Sequence, residues 1–170
     1  MKHKLLLLYA WWVRSMLLLL PDIPFIMRFR GKLYSLAMPK AGRDFQVSAS
    51  TIIRNLEKLS VGSNVYLAPF VVINAIESVK LNDEVMIGFS SVIVSGNHTR
   101  LNGSFRYGKS KATPVEVGSG CWIGANCTLV AGSNLPAGSL LAANSILSKA
   151  YIESDMVYGG VPAKPISNIT

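Results

Sequence analysis

Between Val117 and Leu147 an aliphatic side chain returns at every sixth position: Val117, Ile123, Leu129, Leu135, Leu141 and Leu147. A small residue stands four places after each of the first five, at Cys121, Cys127, Ser133, Ser139 and Ser145. A helix repeats its buried face every 3.6 residues and a strand every 2, so a period of six belongs to neither element alone. It belongs to a chain that turns a corner every six residues and points one aliphatic side chain inward from each flat face. Three faces close one triangular coil. Residues eighteen apart then stack, Val117 on Leu135, Ile123 on Leu141 and Leu129 on Leu147. The pattern predicts an all-β fold, a parallel β-helix of hexapeptide repeats.

The period extends backwards with slips. Val61, Leu67 and Ile73 are in register, Leu81, Ile87 and Ile93 follow after a two-residue shift, and Val47 and Ile53 open the first coil. Gly62, Gly88 and Gly124 each follow an inward aliphatic residue, where a corner favours a residue with no side-chain penalty. Pro69 and Pro136 suit corners that need no ladder hydrogen bond. The period fails once, between Gly96 and Pro114. That stretch has no aliphatic repeat and carries Arg100, Arg106, Lys109 and Lys111 besides His98. Repeat proteins gather insertions on one face, commonly the binding face, and long loops in compact domains are usually functional. Beyond Leu147, Tyr151–Tyr158 leads into Gly159-Gly160-Val161-Pro162-Ala163-Lys164-Pro165-Ile166, a turn-rich tail expected to fold back and cap the last coil.

The first thirty-eight residues follow another pattern. Leu5–Val13 and Met16–Leu20 are apolar almost all round, interrupted by Arg14 and stopped at Pro21. Pro21 and Pro24 end a helix by removing donors and restricting the residues before them. The run is shorter than the ~20 residues needed to span a bilayer. It lacks a small-x-small cleavage site, which argues against a signal peptide. Two readings remain open: a helix packed on the protein's own body or a partner subunit, and a helix lying in the membrane interface. Trp11, Trp12 and the flanking cations suit the latter, as a peripheral contact on the inner face of the cell membrane. A second short apolar segment, Phe25–Met38, continues the surface. The expected organisation is an apolar helical segment over 1–38, a β-helix over 39–166 with an active-site loop at 97–114, and a tail over 167–170.

Composition narrows the chemistry. Half of the 170 residues are hydrophobic and the net charge is +8. Disorder is excluded and an anionic partner is favoured. No dense Lys/Arg cluster or nucleic-acid motif is present, so nucleic acid is not expected. Cys121 and Cys127 fall on consecutive faces and do not stack; they read as reduced core thiols in a cytosolic protein. Two histidines, His3 and His98, cannot make a three-histidine zinc site, and no metal is expected.

The in-register hexapeptides, the stretch Val117-Gly118-Ser119-Gly120-Cys121-Trp122-Ile123-Gly124-Ala125-Asn126 and the tail Gly160-Val161-Pro162-Ala163-Lys164-Pro165 together resemble the hexapeptide-repeat acyltransferases. The resemblance covers residues 47–166 and implies a left-handed β-helix. It is closest to sugar and polysaccharide O-acetyltransferases of capsule, colanic-acid and O-antigen pathways. It implies acetyl-CoA as co-substrate, a homotrimer with active sites between subunits, and a sugar or polysaccharide acceptor. It also implies a catalytic histidine at His98, in Ser95-Gly96-Asn97-His98-Thr99, and an oxyanion-binding backbone N–H at Ala125. Positions matching the cofactor groove are Trp122, Ala125, Ala143, Ser148, Lys149 and Lys164. Asn74 takes the register of the Asp/Asn that meets the acceptor or the histidine, and Glu77 is an equal candidate for orienting His98. The chain departs from the family where Ala68 or Phe70 replaces an acceptor-binding asparagine. An N-acetyltransferase acting on a nucleotide-linked amino sugar and a non-enzymatic β-helix scaffold are the alternative functions.

Overall fold

An aliphatic side chain that recurs on each of three flat faces is stable only if the coil above places the same kind of side chain on it. The computed structural model, which describes residues 2–169, shows this stacking. Met1 of the N-terminal segment and Thr170 of the tail lie outside the described residues. Short strands form three parallel sheets. The first face runs through Lys40–Ala41, Leu59–Val61, Val79–Leu81, Val115–Val117 and Asn134–Leu135. The second runs through Gln46–Val47, Tyr66–Leu67, Met86–Ile87, Trp122–Ile123, Leu140–Leu141 and Met156–Gly160. The third runs through Ile52–Arg54, Val72–Asn74, Val92–Val94, Thr128–Val130 and Ile146–Leu147. The result is a β-solenoid of about six turns.

The predicted stacks are all present: Val117 pairs with Leu135, Ile123 with Leu141 and Leu129 with Leu147. Each of these side chains is fully buried, as are Val47, Leu67, Ile73, Leu81, Ile87 and Ile93. Burying one such side chain stabilises the fold by about 1.5–3 kcal/mol. In the last turn the aliphatic place over Leu141 passes to Tyr158, whose buried ring lies tilted against Tyr151 with centroids 4.6 Å apart and whose hydroxyl donates to the Glu153 carbonyl. The tail does fold back: Ala163–Asn168 pairs antiparallel with Met156–Gly160 and closes that end.

Two details differ from the sequence reading. Gly62, Gly88 and Gly124 do not carry the turn conformation. The positive φ values fall two residues later, on Asn64, Ser90 and Asn126. Those glycines answer to close stacking instead: a Cβ on Gly124 would lie 2.7 Å from the Ala143 nitrogen of the next coil. The slips in the period also share one cause. Corners from the first to the second face and from the second to the third keep a six-residue spacing as far as Leu147; in the last turn one more residue separates Ala150, which pairs with Asn134, from Tyr158, which pairs with Leu141. Up to Leu147 every extra residue enters between the third face and the first, as the turn Leu56–Lys58, as Ile76–Ser78, and as the long segment before Val115.

The N-terminal segment forms two helices, α1 (Lys2–Leu17) and α2 (Pro24–Ser35). Ala10 and Val13 of α1 and Met27, Gly31 and Tyr34 of α2 are buried, with α1 against the third face and α2 on Gln46–Val47 of the first coil. Arg30, only 2% exposed, holds the junction. Its guanidinium donates to Asp22 at 2.6 Å and to the carbonyls of Leu20, Pro21 and Val47, giving partners to backbone groups of the linker and the first coil. Gly31 lets α2 touch the coil, because a Cβ there would lie 1.8 Å from the Phe45 carbonyl oxygen. Gly31→Ala is therefore expected to lose about 1–3 kcal/mol in urea unfolding, since neither backbone can yield easily. Leu36→Ala, at an exposed site on the same segment, is expected to stay within about 0.5 kcal/mol.

Candidate active site

The break in the period is not a structureless loop. Gly96–His98 and Ser110–Ala112 form an antiparallel ribbon, with Asn97 opposite Lys111 and His98 opposite Ser110. Its root is fixed on the solenoid edge between the third and first faces. Ser95 Oγ donates to the Glu77 carbonyl at 2.7 Å and accepts from the Glu77 N–H at 2.8 Å, and the Thr113 N–H donates to the Ser95 carbonyl. Further out, the Thr99 hydroxyl and N–H both donate to the Lys109 carbonyl. His98 therefore sits in an anchored strand pair, with an exposed side chain. Among the described residues no hydrogen bond reaches its ring.

The two proposed orienting residues are engaged elsewhere. Asn74 Oδ1 accepts from Asn55 Nδ2 at 3.0 Å. Glu77 accepts from the Ser78 N–H at 2.9 Å and pairs with Lys58 at 3.5 Å. The Ser78 bond first, and then the positive charge of Lys58, lower the Glu77 carboxyl below its ordinary value.

The remaining candidates divide between two edges of the triangular coil. Ser148 and Lys149 are exposed on the edge that carries the ribbon. They directly follow Ile146–Leu147, which stacks on Thr128–Leu129, and the Lys149 carbonyl accepts from the Asn134 N–H. Ala125 and Ala143 lie on the adjacent edge, between the second and third faces, one coil apart, with the Ala125 carbonyl accepting from the Asn144 N–H at 2.9 Å. Trp122 points outward from the second face, half exposed, on the strand leading to that edge. Lys164 is exposed in the antiparallel hairpin opposite Gly159, near the same edge. The third face lies between the two groups.

At the Ala125 corner the neighbouring amides are used by the fold. Gly124 donates to the Leu141 carbonyl and Asn126 to the Phe89 carbonyl. The Ala125 N–H has no acceptor among the described residues. It is a fixed donor on a rigid corner, the kind of group that can stabilise a developing oxyanion. Beside Trp122 a surface cleft of about 480 Å³ is lined by Gly138, Leu140, Val157 and Ser167. Among the described residues no group of three or more His, Cys, Asp or Glu is placed to hold a metal ion.

No protein-family model matches the sequence, and no curated protein is similar to it by sequence. Solved structures do share the fold. A galactoside acetyltransferase in complex with coenzyme A superposes with a TM-score of 0.85 at 20% identity, covering 98% of this chain and 82% of that one. A hexapeptide-repeat acetyltransferase from Vibrio cholerae O1 biovar eltor, complexed with acetyl coenzyme A, gives 0.82 at 20% identity, covering 98% and 88%. A maltose O-acetyltransferase from Clostridium difficile 630 gives 0.75 at 16% identity, covering 98% and 89%. At these identities the likeness is one of fold.

Both cysteines are buried in the coil interior and unpaired. Burial pushes the Cys121 thiol up to about 11 and raises Cys127 as well. A thiol with a raised pKa stays protonated at neutral pH and is a poor nucleophile. Ellman's reagent is accordingly expected to label neither cysteine in the folded protein near neutral pH and both after denaturation. Fast labelling of the native chain would contradict their burial.

Proposed function

We propose that the chain is an acetyltransferase that moves the acetyl group of acetyl-CoA to a sugar hydroxyl of a surface polysaccharide or its lipid-linked precursor, with His98 as general base. One observation carries the reading: the candidate residues fall into two groups on two edges of one prism. The ribbon-bearing edge presents His98, Ser148 and Lys149, and the next edge presents Trp122, Ala125, Ala143 and Lys164. This division supports a homotrimer with its sites between subunits. The shared fold with acetyl-CoA- and CoA-bound acetyltransferases supports the choice of donor, and the maltose O-acetyltransferase supports a sugar acceptor. The apolar N-terminal segment supports a place at the inner face of the cell membrane, since no helix among the described residues is long and apolar enough to cross it.

The chemistry uses the groups at hand. A sugar hydroxyl is a weak nucleophile at neutral pH. A neutral His98 imidazole takes its proton as the oxygen attacks the thioester carbonyl carbon, a contribution of about 10²–10⁴ in rate. The Ala125 N–H receives the negative charge that builds on the carbonyl oxygen, worth about 10²–10³. The carbon–sulfur bond then breaks, and the proton held by His98 passes to the departing thiolate. The new oxygen–carbon bond is the ester. Lys149 and Lys164 meet the phosphates of the donor as point charges.

His98→Ala is expected to lower kcat/KM by about 10²–10⁴ in an assay of released CoA thiol, with the Tm and the trimer unchanged; turnover near that of the unmodified protein would remove His98 from the mechanism. Acetyl-CoA is expected to raise Tm progressively with concentration, with about 2.7 kcal/mol of stabilisation at a hundredfold excess over Kd. No shift at millimolar acetyl-CoA would favour a non-enzymatic scaffold.

A further inference from the structure

The outer face of a terminal cap on a repeat protein is ordinarily polar, because nothing stacks on it. Helix α1 breaks this rule. While Ala10 and Val13 face the solenoid, Leu5, Leu8, Trp11, Trp12 and Met16 are each roughly half exposed or more. The linker adds Leu19, which is 93% exposed, and Ile23, and α2 adds Phe25. A helix apolar on both faces needs a second covering.

Charge identifies that covering. Residues 1–43 carry eight lysines and arginines against one carboxylate, Asp22, which is spent on Arg30. Residues 44–170 carry nine against eight. Seven of the eight net positive charges therefore belong to the capping end, and pairing of Arg28 with Asp44 removes only one of them. Two copies pressed together through such an end would repel one another. An anionic surface would be attracted to it, and tryptophans settle at headgroup level.

A cleft of about 250 Å³ opens between α1 and the third-face strand of the first coil. Leu7, Trp11 and Ile52 line it, together with Arg14, Arg54 and Tyr34. No carboxylate among the described residues lines it. Neither arginine has an ion-pair or hydrogen-bond partner among the described residues, and Arg14 Nε is buried without one. Burial raises the Tyr34 phenol to about 12, so it stays neutral beside them. Two unspent guanidinium groups in an apolar cleft match a phosphate that carries hydrocarbon.

We infer that this end of the solenoid docks on anionic phospholipid, with α1 lying in the headgroup layer and the Arg14–Arg54 cleft holding a lipid phosphate. The inference deepens the membrane contact proposed above and is independent of acetyl transfer. The ribbon carrying His98 leaves the third coil, two coil spacings or about 10 Å from the first.

Flotation of the full chain with vesicles tests this. Vesicles of phosphatidylcholine containing phosphatidylglycerol are expected to bind at least about tenfold more tightly than phosphatidylcholine alone, with affinity falling as salt rises. The double variant Arg14→Gln/Arg54→Gln is expected to lose about tenfold or more of that binding while keeping its Tm and its acetyl transfer to a soluble acceptor. Arg14→Lys/Arg54→Lys keeps the charge but loses the guanidinium fork, and is expected to recover only part; full recovery would reduce the cleft to diffuse attraction and overturn the phosphate site. Trp12→Glu is expected to abolish binding by placing a charge on the inserted face. Equal binding to both vesicle types, or no loss in the double glutamine variant, overturns the inference. Concentration-dependent self-association without vesicle binding would overturn it by assigning the apolar face to a second copy. A Tm rise with inorganic phosphate that is lost in the double glutamine variant, without vesicle binding, would overturn it by assigning the cleft to free phosphate.

Discussion

Parallel strands stacked in register set the terms for everything else in this molecule. Each coil lies one strand spacing, about 4.8 Å, from the next, so a position on one face repeats its environment in every turn. Inward places must be aliphatic or small in all turns, and corners must let the next backbone approach. Gly124 shows how tight this is, with the Ala143 nitrogen where a Cβ would go. A chain under this constraint can lengthen only at a corner. Up to Leu147 all of its extra residues enter at one corner, between the third and first faces, and the largest insertion is the ribbon that carries His98.

A solenoid has two open ends, and this one closes them by different means. At the C-terminal end the second face simply continues: Tyr158 takes the next aliphatic place and the chain returns as a hairpin. At the N-terminal end two helices cover the first coil. Arg30 secures them through carbonyl and carboxylate partners supplied by the interhelical linker and the first coil. A buried guanidinium that broke from those partners would be left unpaired, which is strongly unfavourable. The cap therefore behaves as part of the body, while its outer face remains apolar and cationic.

The rigidity of the prism also keeps the two groups of candidate residues apart. Ala125 and Ala143 are locked to one edge by coil stacking, and Ser148, Lys149 and the ribbon to another. No movement of a stacked β-coil can bring them together without breaking ladders. In the proposed reaction, chemistry that needs both groups is chemistry between subunits, and each chain supplies one half of two sites.

The period alone determined the architecture and the inward stacks, because a strict six-residue repeat has few geometric solutions. It also located the one interruption and, within it, His98. Several features were beyond it because they depend on contacts between distant residues. The stretch Gly96–Ala112 reads as loop because its pairing is between polar residues with no alternation to betray it. The glycines at 62, 88 and 124 read as turn formers, and only the neighbouring coil shows that they are spacers. Asn74 bonds to Asn55 and Glu77 pairs with Lys58 because stacked coils bring residues about twenty apart side by side. Arg14 and Arg54 stand far apart in the chain and share a cleft only because α1 folds back over the first coil. Repetition along the chain is a local property, and the sequence by itself determined the coils, their inward stacks and the place where they are interrupted. Which residues meet across an edge or under a cap depends on where rigid coils and helices are placed in space, and only the tertiary structure decided that.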